Sequence, residues 1–329
     1  MKILVLSNQL ASRNGKISNP VISNLNRILI KKGVEITEYS IDVGAYGALA
    51  YVKLIFKLIL LRVGFEKYDR YHVHFGGIQG LLVSLFFSSK TIISFHGTDL
   101  HGGTPSRFLT KIKSKVNVFC SKLSIKLSAK STVVSKNLLE YVPSSLLSKV
   151  VIIPTGVDEK HFTKLDKTEC RAKLGLETNV FYLLFSDISG STVKRRDIAS
   201  KVIDLLNENQ NRYKLLVMSQ VDYSLVPTYL YAADYLLLTS DKEGSPNIVK
   251  EALYCNLKVL STDVGDVSDY INKPDRGLVF SSNDPEIINN EINNYFVIVN
   301  NLGTYDFNSQ DLKLSIENIA DEYISIYEK

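Results

Sequence analysis

The chain has 329 residues, 45% of them hydrophobic, a length that exceeds one ordinary core and predicts two domains. Three scattered cysteines (Cys120, Cys170, Cys255) argue against a disulfide framework or a cysteine metal cluster and favour a cytoplasmic protein. The net charge of +5 is uneven: residues 1–155 hold 21 basic and 7 acidic side chains, or +14, which leaves −9 for the rest. This asymmetry predicts an anionic surface or ligand at the N-terminal half.

Apolar, β-branched runs alternate with helical patterns along the chain, beginning with MKILVLSN, whose apolar run is too short for a signal peptide. The predicted strands of the first half are KILVLSN, VEITEYSI, DRYHVHFG, TIISFHGTD, STVVS and VVIIPTG. Those of the second half are VFYLLFSD, YKLLVMS, YLLLTS, KVLSTDVG and GLVF. Such runs predict parallel sheets covered on both faces, in two doubly wound α/β domains spanning residues 1–155 and 156–308. A last helix is predicted over about 309–327. The sequence does not specify what this helix packs against, and the first domain is one option.

Two helical segments of the first half combine apolar and basic residues. Residues 47–65 are long and apolar, but Lys53 and Lys57 are costly at a bilayer centre, so an interfacial or internal helix is expected and not a span. In residues 104–128 a basic stripe lies beside an apolar face, a pattern typical of helices on anionic membranes. A core-packed helix with a solvated face is the alternative. The stripe contains Arg107, Lys111, Lys115, Lys122 and Lys126, and the face contains Phe108, Leu109, Ile112, Val116, Phe119, Leu123 and Leu127. No nucleic-acid-binding motif accompanies the charge, so nucleic acid is not a predicted partner.

Polar residues gather where the predicted strands end, which is where ligands bind in parallel sheets. They are His72, His74, His96, Gly97, Thr98, Asp99, Gly156, Asp158, the segment 243–247 and the segment 263–266. Two sheets that face each other with these ends inward would form one cleft. His72 and His74 share a strand face without an evident third metal ligand, so we expect them to line the cleft or to finish the strand. Asp99 follows Gly-Thr and is equally suited to capping a turn.

The segment EGSPNIVKE, residues 243–251, places two carboxylates around a predicted helix start near Pro246 or Asn247. Proline suits the first turn and Ser245 is a candidate cap. The amides and dipole of such a helix start favour phosphate, while Glu251 and Glu243 can accept hydrogen bonds from ribose and sugar hydroxyls. Ordinary capping and surface charge are the alternative reading.

The spacing Glu243-x7-Glu251 within EGSPNIVKEAL resembles the donor signature of the retaining family 4 glycosyltransferases of GT-B fold. HGTD, IPTGVDEKHF, AADYLLLTS and STDVGDVSDYI follow the order expected for that family, so the resemblance covers essentially the whole chain. It implies an α/β GT-B fold of two facing Rossmann-like domains with an interdomain cleft. The first domain would bind the acceptor and the second the nucleotide-sugar.

The resemblance also implies residue roles. Glu251 would bind ribose, Glu243 the donor sugar and Lys194 the diphosphate, and His96 would reach the sugar's outer hydroxyls. The segment of Ser245, Pro246, Asn247 and Ile248 would face the phosphates, Gly265 would belong to the nucleotide-sugar loop, and Asp99, His74 and Gly15 are acceptor-side candidates. Glu243, His96 and Lys194 are thus the predicted catalytic residues. Ser189 stands where the family has an arginine, a departure for which Arg195 or Arg196 could compensate.

No Asp-x-Asp pair ends an apolar strand, and Asp263, Asp266 and Asp269 do not form one. We therefore predict no metal and no cofactor, with Lys194, amides and the helix dipole stabilising the leaving diphosphate. The resemblance implies a retaining transferase that moves a sugar to a hydroxyl of a growing surface polysaccharide. The basic and apolar helices and the +14 charge of the first half predict a peripheral enzyme on the inner face of the membrane, whose acceptor would be a lipid-linked glycan. Two alternatives stay open: a non-catalytic nucleotide-sugar-binding partner subunit, and an enzyme acting on a small soluble sugar phosphate.

Overall fold

The computed structural model describes residues 1–10, 19–103, 108–187, 192–208, 211–302 and 309–329. The chain divides into two compact units. Unit 1 comprises Met1–Gly156 together with Ile316–Lys329, and unit 2 comprises Val157–Ser315.

Unit 1 contains a six-stranded parallel sheet in the order β2-β1-β3-β4-β5-β6. Its strands are β1 (Lys2–Ser7), β2 (Glu35–Ser40), β3 (Arg70–His74), β4 (Thr91–Phe95), β5 (Lys130–Val133) and β6 (Val150–Ile152). Its helices are α1 (Pro20–Lys31), α2 (Val43–Tyr46), α3 (Leu49–Arg62), α4 (Gly77–Phe87), α5 (Thr98–His101) and α6 (Phe108–Leu127). The central strands are nearly continuous apolar runs because helices cover both faces of the sheet.

The two faces of this sheet have separate cores. Ile3 and Val5 of β1 pack with α1, whereas Leu4 and Leu6 point to the opposite face, where α3, α4 and α6 pack. The last helix, α13 (Ile316–Tyr327), lies on the α1 side and contributes Tyr323 to that core. The helix begins at Ile316 and not near 309, because Ser309–Leu312 forms a separate 3-10 turn.

Unit 2 contains a five-stranded parallel sheet in the order β11-β10-β9-β7-β8. Its strands are β7 (Phe181–Ser186), β8 (Tyr213–Met218), β9 (Tyr235–Leu238), β10 (Val259–Thr262) and β11 (Gly277–Phe280). Its helices are α7 (Lys167–Lys173), α8 (Arg196–Leu206), α9 (Val226–Ala232), α10 (Asn247–Tyr254), α11 (Val267–Tyr270) and α12 (Pro285–Leu302). All eleven predicted strands are present, and both sheets have the predicted parallel, doubly wound form.

The predicted basic helix exists as α6, but its apolar face does not pack into the core. Ile112, Val116 and Phe119 are exposed, Phe119 by 67%. The side that packs inward includes Ile125 together with Ser121 and Ser124, all fully buried. As in the core-packed alternative, α6 thus packs into unit 1, but Ile112, Val116 and Phe119 of the predicted apolar face remain in solvent. Arg107 lies outside the described ranges.

Helix α3 likewise leaves large apolar side chains in solvent while Leu54 and Leu58 enter the core. The exposed ones are Leu49, Val52, Phe56, Ile59 and Leu60, with Val63 and Phe65 just beyond the helix. Within the described ranges, no helix combines the length and the apolar character needed to cross a bilayer.

Candidate functional site

Three loops meet at the carboxyl end of the unit 2 sheet, those after β7, β9 and β10. Thr239, directly after β9, donates its Oγ1 hydrogen to the carbonyl oxygens of Lys194 (3.1 Å) and Arg195 (2.9 Å). Thr262, the last residue of β10, donates to the carbonyl oxygen of Ser240 at 2.8 Å. Side chains at the strand ends thus tie the Lys194 loop to the Glu243 loop.

Lys194 and Glu243, two predicted catalytic residues, contact each other directly. Lys194 Nζ donates to Glu243 Oε1 at 2.5 Å, and Ser240 Oγ donates to the same oxygen at 2.8 Å. Both charged side chains are about four-fifths shielded from solvent, which strengthens their mutual attraction. The pair places a cation and a carboxylate within reach of the same bound molecule.

Helix α10 begins between the two glutamates, as predicted, at Asn247 with Pro246 in the capping position. Pro246 makes no side-chain cap, and the first turn, which includes Ile248, has no acidic residue, so the positive end of the dipole is not neutralised there. The prediction that Ser245 caps the helix is wrong. Its hydroxyl instead donates to Asp266 Oδ2 at 2.6 Å.

Glu251 is buried on the second turn of α10, with 8% of its surface exposed. Tyr223 donates its hydroxyl hydrogen to Glu251 Oε1 at 3.2 Å, and the Tyr223 ring stacks on His161 at 4.5 Å. Burial raises the pKa of Glu251 to about 7, against the lowering effects of Tyr223 and Lys250. A carboxylate already holding a phenol hydroxyl is chemically able to hold a ribose hydroxyl.

Gly265 brings the loop after β10 against the Glu243 loop. Its φ is +60°, and a Cβ at this position would lie 2.9 Å from the carbonyl oxygen of Gly244. Only glycine fits this approach without displacing backbone. The predicted nucleotide-sugar loop therefore packs directly on the predicted sugar-binding loop.

The two candidate replacements for the family's arginine differ in their contacts. Arg195 binds Asp197 through Nε (3.0 Å) and Nη2 (2.8 Å) and Asp241 through Nη1 (3.0 Å). These hydrogen bonds raise the pKa of Arg195 further and commit its guanidinium to carboxylates. Arg196 is more exposed, and its Nη1 approaches Asp187 only at 3.9 Å. Ser189 lies outside the described residues.

The predicted residues of unit 1 gather at the ends of β3 and β4. His74 Nδ1 is 3.2 Å from His96 Nε2, and burial lowers the pKa of His74 well below its ordinary value. Asp99 is buried and accepts hydrogen bonds from the backbone N–H groups of Gly76 (3.0 Å), His96 (3.1 Å) and Gly97 (2.8 Å). Asp99 therefore fixes two loops, in line with its turn-capping alternative.

Two further predicted residues belong to unit 1. Gly15 lies outside the described residues. His72 is hydrogen-bonded to Tyr327 (2.6 Å) and Ser94 (2.7 Å) inside the core, so it does not line a surface. Across the described ranges, no three His, Cys, Asp or Glu side chains are grouped as metal ligands.

Sequence reasoning missed several contributors to the unit 2 site. Tyr223 and Ser240 hold the two glutamates, and Lys250 and Asp266 lie buried beneath them. Lys250 gave no sequence signal, because on α10 it lies opposite Ile248 and Ala252, where the helical pattern predicts solvent, yet it is buried. Tyr223 gave no sequence signal either, because only the folding of the chain brings its hydroxyl close to Glu251.

Comparison with known families locates a domain on these loops. Residues 188–296, which include Lys194, Glu243, Glu251 and Gly265, match the family model described as "Glycosyl transferases group 1". This part of unit 2 is therefore similar to the group 1 glycosyltransferases. The match supports the predicted enzyme class.

The chain also resembles one curated relative over part of its length. The chain is 26% identical over 226 residues to the putative teichuronic acid biosynthesis glycosyltransferase TuaC of Bacillus subtilis (strain 168). The match spans 62% of this chain and 56% of the relative's length.

Solved structures extend the likeness to both units. Sucrose-phosphate synthase from Thermosynechococcus elongatus has a TM-score of 0.77 at 15% identity, covering 100% of this chain and 98% of that chain. Anabaena HepE, crystallised with UDP and glucose, has a TM-score of 0.70 at 15% identity and full coverage of both chains. At such identities the likeness concerns the fold, and the predicted GT-B class is confirmed.

Proposed function

We propose that this protein transfers a sugar from a nucleoside diphosphate donor to a hydroxyl of an acceptor. The observation that carries the proposal is the arrangement around the start of α10. One carboxylate, Glu243, is paired with Lys194 on one side, and a second, Glu251, is buried on the other. Between them is a helix start without an acidic side chain or a side-chain cap. Two carboxylates that can accept hydrogen bonds from hydroxyls thus lie on either side of a helix start that can bind phosphate. The order of these groups matches the order of ribose, diphosphate and sugar in a nucleotide-sugar.

Each part of the donor then has a protein partner. Glu251 accepts hydrogen bonds from ribose hydroxyls, which displace the Tyr223 hydroxyl. Lys194 exchanges Glu243 for the diphosphate, and Glu243 is released to accept from a hydroxyl of the sugar. As the diphosphate leaves, Lys194 and the α10 dipole stabilise its growing charge. These groups act without a metal ion in this proposal.

The proposed stereochemical course is retention, which follows from the family resemblance alone. The acceptor hydroxyl attacks the anomeric carbon on the face from which the diphosphate departs. A bond forms between acceptor oxygen and anomeric carbon while the bond to the diphosphate oxygen breaks. The departing oxygen takes the hydroxyl proton. His96 is proposed to contact the sugar's outer hydroxyls.

The proposed acceptor is a lipid-linked glycan at an anionic membrane. Support comes from unit 1, where helix α4 packs between α3 and α6 and both outer helices expose apolar side chains. Lys111, Lys115 and Lys122 line the α6 surface beside exposed Ile112 and Phe119. Apolar side chains mixed with lysines suit a headgroup layer. A soluble sugar phosphate would need the lysines but not the exposed aromatic and aliphatic groups.

Thermal shifts with UDP-, GDP-, ADP- and dTDP-sugars, each with and without Mg²⁺, test the donor site. A ligand that binds only the folded protein raises its melting temperature. One nucleotide class should stabilise the wild type and the control Glu177→Ala, whose exposed carboxylate binds Lys214 elsewhere in unit 2. Glu251→Ala should abolish the shift. If no donor shifts the wild type, a non-catalytic role or another ligand class replaces this proposal.

A second experiment tests catalysis and the acceptor together. Release of the nucleoside diphosphate is measured with the stabilising donor, using either a membrane lipid extract or a set of soluble sugar phosphates as acceptor. Release that requires the lipid extract supports the proposed acceptor. Release with a sugar phosphate supports the soluble alternative, and donor binding without any release supports the partner-subunit reading.

A further inference from the structure

We infer that Lys250 and Asp266 are positioning residues that hold the two donor-binding loops of unit 2 together through the hydroxyl of Ser245. This inference rests on the proposed function, because it assigns a task to side chains beneath the same site. The resemblance assigns no role to either residue, and neither is placed against the donor itself.

The geometry is a buried relay. Lys250 Nζ donates to Ser245 Oγ at 2.6 Å, and Ser245 Oγ donates to Asp266 Oδ2 at 2.6 Å. Lys250 Nζ is also 3.8 Å from Asp266 Oδ2. Lys250 is 1% exposed and Asp266 3%. The relay runs from α10 through the loop after β9 to the loop after β10.

The relay joins loops that already touch. Gly265, next to Asp266, packs its Cα against the Gly244 carbonyl so closely that a Cβ would lie at 2.9 Å. Ser245 follows Gly244 in the same loop. A shift of Asp266 therefore moves the Gly265 turn and releases Ser245, which precedes the start of α10. Both loops would lose the geometry that the diphosphate requires.

Stability alone does not explain this pair. Removing the charges of a lysine and an aspartate from water is unfavourable, and apolar residues of similar volume often replace a buried ion pair without loss of stability. Breaking such a pair on one side, however, leaves an uncompensated buried charge. A pair at this position is thus better suited to fixing one arrangement of the loops than to stabilising the unit.

The relay should also be sensitive to pH. Burial lowers the pKa of Lys250 to about 8, opposed by the carboxylates of Asp266 and Glu251. Ser245 Oγ at 2.6 Å and the Tyr270 ring, 5.6 Å away, also face the ammonium. As pH rises through about 8, Lys250 loses its proton, and the charge that holds Asp266 disappears. Donor affinity should then fall on the alkaline side.

The test uses the full chain, the stabilising donor and three variants. Lys250→Met keeps the length of the side chain without its charge, and Asp266→Asn keeps the acceptor oxygen. Arg171→Leu is the matched control, because Arg171 forms a buried ion pair with Asp234 before β9, at the opposite end of the sheet. Donor Kd and KM are measured from pH 6.5 to pH 9.5, with circular dichroism verifying folding.

We expect Lys250→Met to weaken donor binding about tenfold or more at neutral pH, as misplaced loops do. This variant should also lose the alkaline limb, meaning the fall in donor affinity as pH rises through about 8. Asp266→Asn should move that limb to lower pH, because Lys250 loses its main electrostatic support. Arg171→Leu should lower the melting temperature but retain both KM and the limb. If Lys250→Met does not fold, the pH at which donor affinity falls in Asp266→Asn still tests the positioning role.

Two failures are distinguishable. A wild type that binds no nucleoside diphosphate sugar at any pH overturns the proposed function, and this inference with it. A wild type that binds the donor, with an alkaline limb unchanged in both variants, overturns only the positioning role.

Discussion

Glu251 carries a titration that reaches into the physiological range. Its carboxyl is buried on α10 with Tyr223 as its hydrogen-bond donor, and burial raises its pKa to about 7. The ionised form accepts from two ribose hydroxyls, whereas the protonated form has lost part of that capacity. Because the folded pKa is raised, ionisation is complete only above about pH 8 and is lost as pH falls through about 7. Nucleotide affinity should therefore decrease on acidification.

Isothermal titration with the bare nucleoside diphosphate from pH 5.5 to pH 8 measures this effect. Tyr223→Phe is the informative variant, because the Tyr223 hydroxyl lowers the pKa of Glu251 and its removal should move the midpoint upward. Glu251→Gln should bind weakly and without the acidic limb. An affinity that is flat over this range in the wild type would contradict ribose recognition by an ionised Glu251.

Single residues also mark the limit of what the sequence could predict. The spacing of Glu243 and Glu251 and the helix start between them follow from local pattern, and α10 begins where expected. Ser245 was assigned as a cap because serine before a helix commonly caps it. Its hydroxyl is instead taken by Asp266. That competition depends on two loops brought together by the sheet order β10-β9-β7, which local spacing does not encode.

At the scale of elements, α3 and α6 present a surface whose composition fits a membrane. Phe56 of α3 is 63% exposed and Phe119 of α6 is 67% exposed, each on a helix that also carries lysines. The spacing of residues along the predicted helix located the basic stripe of α6, but this spacing could not show whether the adjoining apolar face was buried. The buried side combines Ile125 with Ser121 and Ser124, whose hydroxyls donate to carbonyl oxygens. Residue polarity alone was therefore a poor guide to which side of α6 is buried.

Substitution of the two phenylalanines tests this surface. Phe56→Asn with Phe119→Asn should reduce sedimentation with anionic liposomes severalfold, because each removes an aromatic side chain that would insert among the headgroups. Donor-induced thermal shifts should stay unchanged, since both residues belong to unit 1. Val297→Asn is the control, as Val297 is 62% exposed on α12 of unit 2.

Liposomes of neutral lipid and added salt separate the contribution of the inserted phenylalanines from that of the lysine charges. Binding that survives salt but requires the phenylalanines indicates insertion, and binding lost in salt indicates the lysines. Equal sedimentation of the double variant and the wild type would show that these aromatic residues do not contact the membrane.

At the scale of the molecule, the chain leaves unit 1 at Gly156 and returns to it at Ile316. Polar groups inside the core of unit 1 make the docking of the last helix, α13, specific. His72 bonds to Tyr327 (2.6 Å) and to Ser94 (2.7 Å), and Tyr323 also contacts Ser94 at 2.9 Å. The strand pattern predicted the sheet, but the partner of the last helix stayed open because its apolar face fits any core. Polar groups buried in β3 and β4 select this one.

The same buried groups make unit 1 sensitive to acid. Burial lowers the pKa of His72 to about 3 and that of His74 well below 6.5. Between those values and about 6.5, the unfolded chain binds protons that the folded unit does not. The free energy of unfolding should therefore decrease as pH falls below about 6.5, by about 1.4 kcal/mol per pH unit for each histidine. The loss ends only when the folded-state pKa is reached.

Hydrogen exchange with mass spectrometry resolves this by unit, because peptides from β3 and β4 report on unit 1 and peptides from β7 and β9 on unit 2. Protection in unit 1 should fall more steeply between about pH 6.5 and pH 4.5 than protection in unit 2. His72→Gln cannot take up a proton, so it should reduce the slope for unit 1 by one histidine's share while lowering stability at neutral pH. A slope identical in His72→Gln and the wild type would mean that His72 is charged in the folded protein, which its fully buried position between Tyr327 and Ser94 argues against.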